Sequence, residues 1–196
     1  MSEPTIREQK KEQRTACLRA RAQLTAEYRA SANTSICHAL SELPELKSTG
    51  LVLSYSAIAD EVDLQAFHQV EEETGTRIAY PMTRPHGLMD AGIPGIFGGP
   101  RFVTAAYGIR EPDPEFAEIA DPEEIDVILV PCVGFDRNGG RLGHGAGYYD
   151  RYLPQCTHAK KILIAYDVQE LGQVVTDTHD VLMDAVLTES GIYHFS

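Results

Sequence analysis

The sequence has little of what membrane-spanning, secreted and zinc-binding proteins need. No apolar run reaches the ~18 residues of a membrane-spanning helix, and the polar N-terminus contains no apolar secretory segment. The cysteines form no close pair and no Cys-x-x-Cys motif, which disfavours a disulfide framework or a zinc site. They are Cys17, Cys37, Cys132 and Cys156. We therefore expect a protein of the reducing cytoplasm.

Basic residues are also scarce relative to acidic ones. The chain has 17 Lys and Arg against 29 Asp and Glu, which gives a formal net charge of −12. Nucleic acids and membrane surfaces attract basic proteins, so we expect neither as a partner. The 196 residues contain no repeat and no long linker, which favours one domain over 1–196, as a monomer or a small homo-oligomer.

Apolar, strand-like segments alternate with helical segments along the chain. Strands are predicted near 51–55, 77–80, 127–131 and 161–166, and helices near 5–24, 25–43 and 63–73. Pro81 is expected to end the second strand, because proline cannot donate to a sheet ladder. Residues 82–99 are rich in Gly and Pro and are expected to form loops around a short element near 88–93. This alternation favours an α/β fold with a mainly parallel sheet covered by helices on both faces.

A glycine-rich stretch follows the strand at 127–131. Five glycines fall between Gly139 and Gly147, with Arg141 among them and Asp150 shortly after. A strand, a glycine turn and a helix start can aim backbone N–H groups at a phosphate, and an arginine suits phosphate oxygens. Asp150 offers a hard oxygen to a Mg²⁺ ion that accompanies the phosphate. The stretch matches neither the Walker nor the dinucleotide pattern, so a plain structural turn stays open from these residues alone.

The full string, however, resembles the hallmark of the 5-formyltetrahydrofolate cyclo-ligase (methenyltetrahydrofolate synthetase) family. The matching residues are Pro131-Cys-Val-Gly-Phe135, Asp136, Gly140-Arg-Leu-Gly143, Gly145 and Gly147-Tyr-Tyr-Asp-Arg-Tyr-Leu153. The resemblance implies a single-domain, Rossmann-like, three-layer α/β fold. It also implies ATP- and Mg²⁺-dependent conversion of 5-formyltetrahydrofolate to 5,10-methenyltetrahydrofolate, with ADP and phosphate released. The alternative is a paralogue that binds folate or nucleotide without closing the ring.

The resemblance implies roles for individual residues as well. Arg141 and Tyr149 are expected to be catalytic, and Asp150 with Asp180 to hold Mg²⁺. Contacts to the folate are expected from Ser56, Glu61, Tyr148 and Tyr149. Contacts to ATP are expected from Lys10, Arg14, Arg141, Leu142, Gly143, His144, Gly145, Ala146, Gly147, Tyr148 and Tyr149.

For several of these positions, the spacing of the residues alone also allows a purely structural role or a neighbouring residue in the same role. Lys10 and Arg14 share a helix face that is otherwise typical of a solvated surface, and Lys11 could take the place of Lys10. Asp184 is the second candidate beside Asp180. The family varies at His144, so its side chain is expected to point away from the chemistry. The segment 107–112, Tyr-Gly-Ile-Arg-Glu-Pro, fits either the substrate side of the family's cleft or a simple turn.

Overall fold

The computed structural model describes residues 4–47, 49–95, 101–105 and 108–195. The α-helices within these ranges are α1 (Ile6–Ala22), α2 (Ala26–Glu42), α3 (Gln65–Thr74) and α4 (Tyr148–Tyr152). The strands are β1 (Leu51–Leu53), β2 (Arg77–Arg84), β3 (Leu88–Ile93), β4 (Phe102–Thr104), β5 (Arg110–Pro112), β6 (Glu118–Ile119), β7 (Val127–Pro131), β8 (Gly134–Phe135), β9 (Arg141–Leu142), β10 (Lys160–Ile164), β11 (Ala185–Thr188) and β12 (Gly191–His194). No helix in the described ranges is both long and apolar enough to cross a membrane.

Eight strands form one sheet in the order β12-β11-β10-β7-β1-β2-β3-β6. The five central strands run parallel, and the strands at both edges are antiparallel. Taken along the chain, the five parallel strands have the spatial order 2-1-3-4-5, which is the flavodoxin-like, doubly wound arrangement. The order reverses between β1 and β7, and the carboxyl ends of strands at such a reversal are where open α/β sheets bind ligands. The predicted α/β fold class is confirmed.

Both faces of the sheet are buried because alternate strand residues enter two separate cores. Val52 and Leu129 pack with residues of α2 and α3, such as Ile36 and Phe67. Leu51, Leu53, Ile128 and Val130 project from the other face and pack with residues that include Tyr152 and Leu153. Successive strand side chains point to opposite faces, so uninterrupted apolar strands are what a sheet covered on both sides requires.

The predicted starts of the first two helices are confirmed by their caps, whereas α3 begins at Gln65 without a side-chain cap. The Thr25 hydroxyl, at the start of α2, accepts a hydrogen bond from the Tyr28 N–H (3.1 Å). The Thr5 hydroxyl accepts a hydrogen bond from the Glu8 N–H (3.3 Å), and the Glu8 carboxylate accepts one from the Thr5 N–H (2.8 Å). This reciprocal pair fixes the start of α1. Further along α1, the guanidinium of Arg21 is only 2 % exposed and lies 2.8 Å from the Asp60 carboxylate. The cap thus fixes where α1 begins, and the buried ion pair of Arg21 attaches its C-terminal end to the segment that follows β1.

The prediction that Pro81 ends its strand is wrong, because β2 continues to Arg84. β1 pairs with β2 only as far as Ala79, and beyond it β2 pairs with β3 alone. At Pro81, β2 therefore has a neighbouring strand on one side only. Alternate residues of an antiparallel pair make no hydrogen bonds to their partner, so a proline, which has no N–H to donate, fits at such a position. The short element predicted near 88–93 is β3, whereas residues 96–99 of the predicted loop lie outside the described residues.

A short hairpin made by β8 and β9 carries the glycine-rich stretch beyond the sheet. Its turn is organised by the Asp136 side chain, which is 2 % exposed. One carboxylate oxygen accepts hydrogen bonds from the N–H groups of Asn138 (2.8 Å) and Gly140 (3.0 Å). The other accepts one from the Val174 N–H (2.7 Å). A side chain at Gly140 would lie 2.8 Å from the same carboxylate, so the hairpin needs glycine there.

We predict that Asp136→Asn destabilises the fold. The Asn side chain has one acceptor oxygen, so at least one of these buried N–H groups loses its partner, at a cost of about 2–3 kcal/mol. Asp121 is the matched control, because its exposed side chain also accepts a backbone N–H, from Glu123 at 3.0 Å, where Asn serves equally well. Urea unfolding should separate the two variants, and equal midpoints would contradict this role of Asp136.

Candidate active site

A cavity of about 540 Å³ opens at the carboxyl ends of β1 and β7, where the strand order reverses. Ser56 follows β1, and Pro131 is the last residue of β7. The residues that the family resemblance assigns to the site all line this cavity, whereas the alternatives Lys11 and Asp184 do not. The assigned residues are Lys10, Arg14, Ser56, Glu61, Arg141, Leu142, Gly143, His144, Gly145, Ala146, Gly147, Tyr148, Tyr149, Asp150 and Asp180. The fold therefore brings the residues together; the role of each one stays a prediction.

Two cations on α1 reach the cavity one helical turn apart. The Lys10 ammonium lies 2.5 Å from the Asp180 carboxylate, and both side chains are largely buried. The Arg14 Nε donates a hydrogen bond to the Gly143 carbonyl oxygen at 2.7 Å. Lys11 is exposed and does not line the cavity, so the fold brings Lys10 rather than Lys11 to it. The helix thus ties the glycine-rich stretch to the turn that carries Asp180.

The glycines take conformations that other residues avoid. Gly145 has φ +101° and Gly147 has φ +71°, and Gly147 is the N-cap of α4. The helix start expected after the glycines is confirmed, but α4 has only five residues. Because few peptide dipoles add up in so short a helix, the macrodipole contributes little here. Attraction for an anion must therefore come from side-chain cations and loop N–H groups.

Arg141 is the most deeply buried cation of the cavity. Its side chain is 5 % exposed, one terminal nitrogen lies 2.6 Å from the Asp150 carboxylate, and the guanidinium lies 5.4 Å from the Tyr149 ring centre. The Arg141 Nε–H has no hydrogen-bond partner among the described residues, and neither has the buried Tyr149 hydroxyl. Burial raises the pKa of Tyr149, so the hydroxyl stays protonated and can donate. Two unpaired buried donors on the cavity wall suit an oxygen-rich ligand.

The expectation that the His144 side chain points away from the site is wrong. Its Nε2 lies 3.0 Å from a carboxylate oxygen of Glu61, a side chain that is 6 % exposed. The other Glu61 oxygen accepts the Ile58 N–H at 3.1 Å, which fixes the carboxylate against the wall and leaves an oxygen free for His144. His144 thereby links the glycine-rich stretch to the wall that follows β1.

Sequence reasoning missed part of the lining. The additional residues are Tyr55, Ile58, Pro81, Thr83, Met89, Ile109, Arg110, Glu111 and Pro131. The segment 107–112 was the available signal for three of them, although Tyr107 itself lies outside the described residues. Glu111 is buried and accepts the Thr83 N–H at 2.8 Å, which attaches β5 to β2. Contacts between segments so distant along the chain have no local pattern from which to predict them.

The donor groups of the site fit a magnesium ion that arrives with phosphate. Among the described residues, no three His, Cys, Asp or Glu side chains form a ready-made metal site. Mg²⁺ usually keeps several waters and takes only one or two carboxylates together with phosphate oxygens. Asp150 and Asp180 both line the cavity and supply two carboxylates, each beside a cation.

Strand order, the cavity at its reversal and the glycine-rich hairpin define a doubly wound α/β protein with a cation-lined ligand cleft. A family model of the 5-formyltetrahydrofolate cyclo-ligase family matches residues 6–189. The chain belongs to that family, which is a family of ligases, and the resemblance found in the sequence is confirmed.

Individual relatives agree with this assignment. The 5-formyltetrahydrofolate cyclo-ligase of Mycolicibacterium smegmatis is 37% identical over 153 residues, which cover 74% of this chain and 77% of the relative. The NMR structure of Aquifex aeolicus 5,10-methenyltetrahydrofolate synthetase matches with a TM-score of 0.82 and 30% identity, covering 94% and 92% of the two chains. The structure of the Mycoplasma pneumoniae 5,10-methenyltetrahydrofolate synthetase matches with a TM-score of 0.76 and 26% identity, covering 92% of this chain and 98% of that one.

We predict that Gly145→Val weakens ATP binding at least about tenfold while the fold is retained. Valine is strained at φ +101°, and its Cβ would lie 3.4 Å from the Arg14 guanidinium, in the space that a ligand needs. Gly172→Val is the control, because that glycine has no positive φ and nothing lies within 4 Å of an added Cβ. Calorimetric titration with ATP on folded variants measures the effect, and unchanged affinity in Gly145→Val would refute the close approach of ligand to this backbone.

Proposed function

We propose that this protein is the ATP- and Mg²⁺-dependent ligase that converts 5-formyltetrahydrofolate to 5,10-methenyltetrahydrofolate and releases ADP and phosphate. Its partners are then two small molecules, the folate and ATP, and its setting is the cytoplasm. Family membership supports the reaction. The observation that carries the proposal is Arg141, a buried cation with an unpaired N–H on the wall of the cavity.

On this proposal the ATP phosphates lie along the glycine-rich hairpin. Lys10, Arg14 and Arg141 neutralise their charge, and loop N–H groups supply directed donors. Both Lys10 and Arg141 are held by a carboxylate before the nucleotide binds. Binding exchanges those partners: the cations turn to the phosphates, and the carboxylates of Asp180 and Asp150 become free to hold Mg²⁺. When bound, Mg²⁺ would add positive charge at the phosphate oxygens.

The chemical difficulty is that a formyl oxygen is a weak nucleophile. In the proposed reaction this oxygen bonds to the γ-phosphorus as the bond to the ADP oxygen breaks. N10 of the folate then bonds to the formyl carbon and loses its proton to water or to the departing phosphate, which leaves with the former formyl oxygen. The protein supplies position and charge: Glu61, Ser56 and Tyr148 would hold the pterin end, while Arg141 and the Tyr149 hydroxyl would donate to the phosphoryl group in transit.

This chemistry needs no covalent nucleophile from the protein. Cys132 is the thiol nearest in sequence to the glycine-rich hairpin, and burial raises its pKa to about 12. It is therefore a thiol at neutral pH, whereas a thiolate would be needed for attack.

The decisive test is turnover. Purified protein with 5-formyltetrahydrofolate, ATP and Mg²⁺ should give the absorbance of the methenyl product, and none should form without ATP. Binding of both ligands without product would favour the alternative, a paralogue that does not close the ring. Met82, His144 and Ala146, where the sequence departs from the family's usual residues, are the reason to keep that alternative.

We predict that Arg141→Lys loses mainly kcat. Lysine keeps the charge but lacks the planar donor set, and the phosphoryl group in transit needs fixed donors more than ground-state ATP does. A loss of about 2.7 kcal/mol of transition-state stabilisation corresponds to roughly 10²-fold in kcat. Arg141→Ala should lose both kcat and ATP affinity. Arg137→Lys is the control, because Arg137 lies on the same hairpin but is exposed and paired with Glu170. Near-normal kcat in Arg141→Lys would rule out a phosphate clamp.

We predict that Asp150→Asn and Asp180→Asn each raise the Mg²⁺ concentration needed for half-maximal turnover, with little change in folate affinity. An amide oxygen replaces a charged oxygen, so the cation is held less strongly. Asp184→Asn is the control, because its carboxylate accepts the Lys161 N–H at 2.7 Å and lies outside the cavity lining. Normal Mg²⁺ dependence in either variant would remove that residue from the proposed metal site.

A further inference from the structure

Arg110 differs from the other cations of the cavity. Four Lys and Arg side chains line it, and three of them, Lys10, Arg14 and Arg141, are held by a carboxylate or a carbonyl oxygen of the chain. Within the described ranges, Arg110 has neither an ion-pair partner nor a hydrogen bond from its side chain. It also belongs to β5, outside α1 and the glycine-rich hairpin that carry the other three.

Packing against an aromatic ring nevertheless holds the Arg110 guanidinium in place. Its guanidinium lies 4.9 Å from the centre of the Phe102 ring, and Phe102 in turn packs edge-on against Tyr80 at 5.1 Å. The next residue, Glu111, is buried and bonded to the Thr83 N–H, which fixes β5 against β2. Arg110 itself is exposed, so it lies at the rim of the cavity while Glu111 lies inside. A stacked guanidinium without a counter-ion is pre-organised for a planar anion.

We propose that Arg110 binds the carboxylates of the folate's glutamate tail and thereby determines specificity for tailed substrates. This inference rests on the proposed function. The phosphates have the glycine-rich hairpin with Arg141, together with Lys10 and Arg14 of α1. The tail is the other anionic part of the two substrates, and it is the end of the folate remote from the pterin. Because Glu61, the expected pterin contact, is buried, the tail lies towards the rim, where Arg110 offers two parallel donors.

The net negative charge of the protein also favours a role for a cation at the cavity entrance. At a net charge of −12, the surface repels a dicarboxylate at long range. A local cation at the entrance offsets that repulsion where the tail arrives. The contact should therefore weaken as salt is added, since the rim is exposed to solvent.

The experiment compares two probes in two proteins. Calorimetry measures the affinity of 5-formyltetrahydrofolate and of its diamide, in which both glutamate carboxylates are neutral amides of nearly the same size. Wild-type protein should bind the acid about tenfold more tightly than the diamide, as one charge-assisted contact predicts. Arg110→Gln should bind both probes with the affinity that the wild type has for the diamide. Arg84→Gln should keep the tenfold preference, because Arg84 is exposed, paired with Asp90 and outside the cavity.

Each outcome decides between assignments. Equal affinities of the wild type for acid and diamide, or a tenfold preference that survives in Arg110→Gln, would overturn the assignment. Weaker ATP binding in Arg110→Gln with an unchanged preference for the acid would assign the residue to the nucleotide instead. The binding experiment needs no turnover. A preference that depends on Arg110 in a protein that forms no methenyl product would therefore support the tail contact while the proposed reaction fails.

Discussion

Two ion pairs inside one cavity, Lys10 with Asp180 and Arg141 with Asp150, are the interactions on which the site depends. To receive the anionic ligands of the proposed function, a protein of net charge −12 must gather positive charge, yet an unpaired charge held away from water is costly. Pairing each cation with a carboxylate satisfies both requirements. The same carboxylates are suited to a cation that arrives with the ligand, so the pairs can be exchanged rather than broken.

The rest of the fold keeps these four side chains in place. The reversal of strand order between β1 and β7 opens the cleft, and α1, capped at Thr5 and anchored through Arg21, delivers Lys10 to it. The hairpin organised by Asp136 delivers Arg141. The buried hydrogen bonds of Asp136 stabilise the hairpin at its turn, away from the cleft. Because the turn supplies this stability, Arg141 on the same hairpin can keep an unpaired N–H for a ligand.

Much of this could be predicted from the sequence, because the relevant signals are local. The caps at Thr5 and Thr25, the apolar strands and the glycine string each specify structure within a few residues. Pro81 was misread because its tolerance depends on how far β1 extends, which is a property of the neighbouring strand. His144 was misread for a similar reason, since its orientation depends on a carboxylate 83 positions away in sequence. The wall formed by β2, β3 and β5 likewise arises only from long-range packing.

The central claim is that the bound nucleotide replaces the partners of Lys10 and Arg141. The most direct measurement is a crystal structure of the protein with Mg²⁺ and a non-hydrolysable ATP analogue. The account predicts that the Lys10 ammonium and the Arg141 guanidinium contact phosphate oxygens, with the carboxylates of Asp150 and Asp180 turned towards the metal. A structure in which the nucleotide is bound and both ion pairs persist unchanged, with the metal held elsewhere, would contradict it.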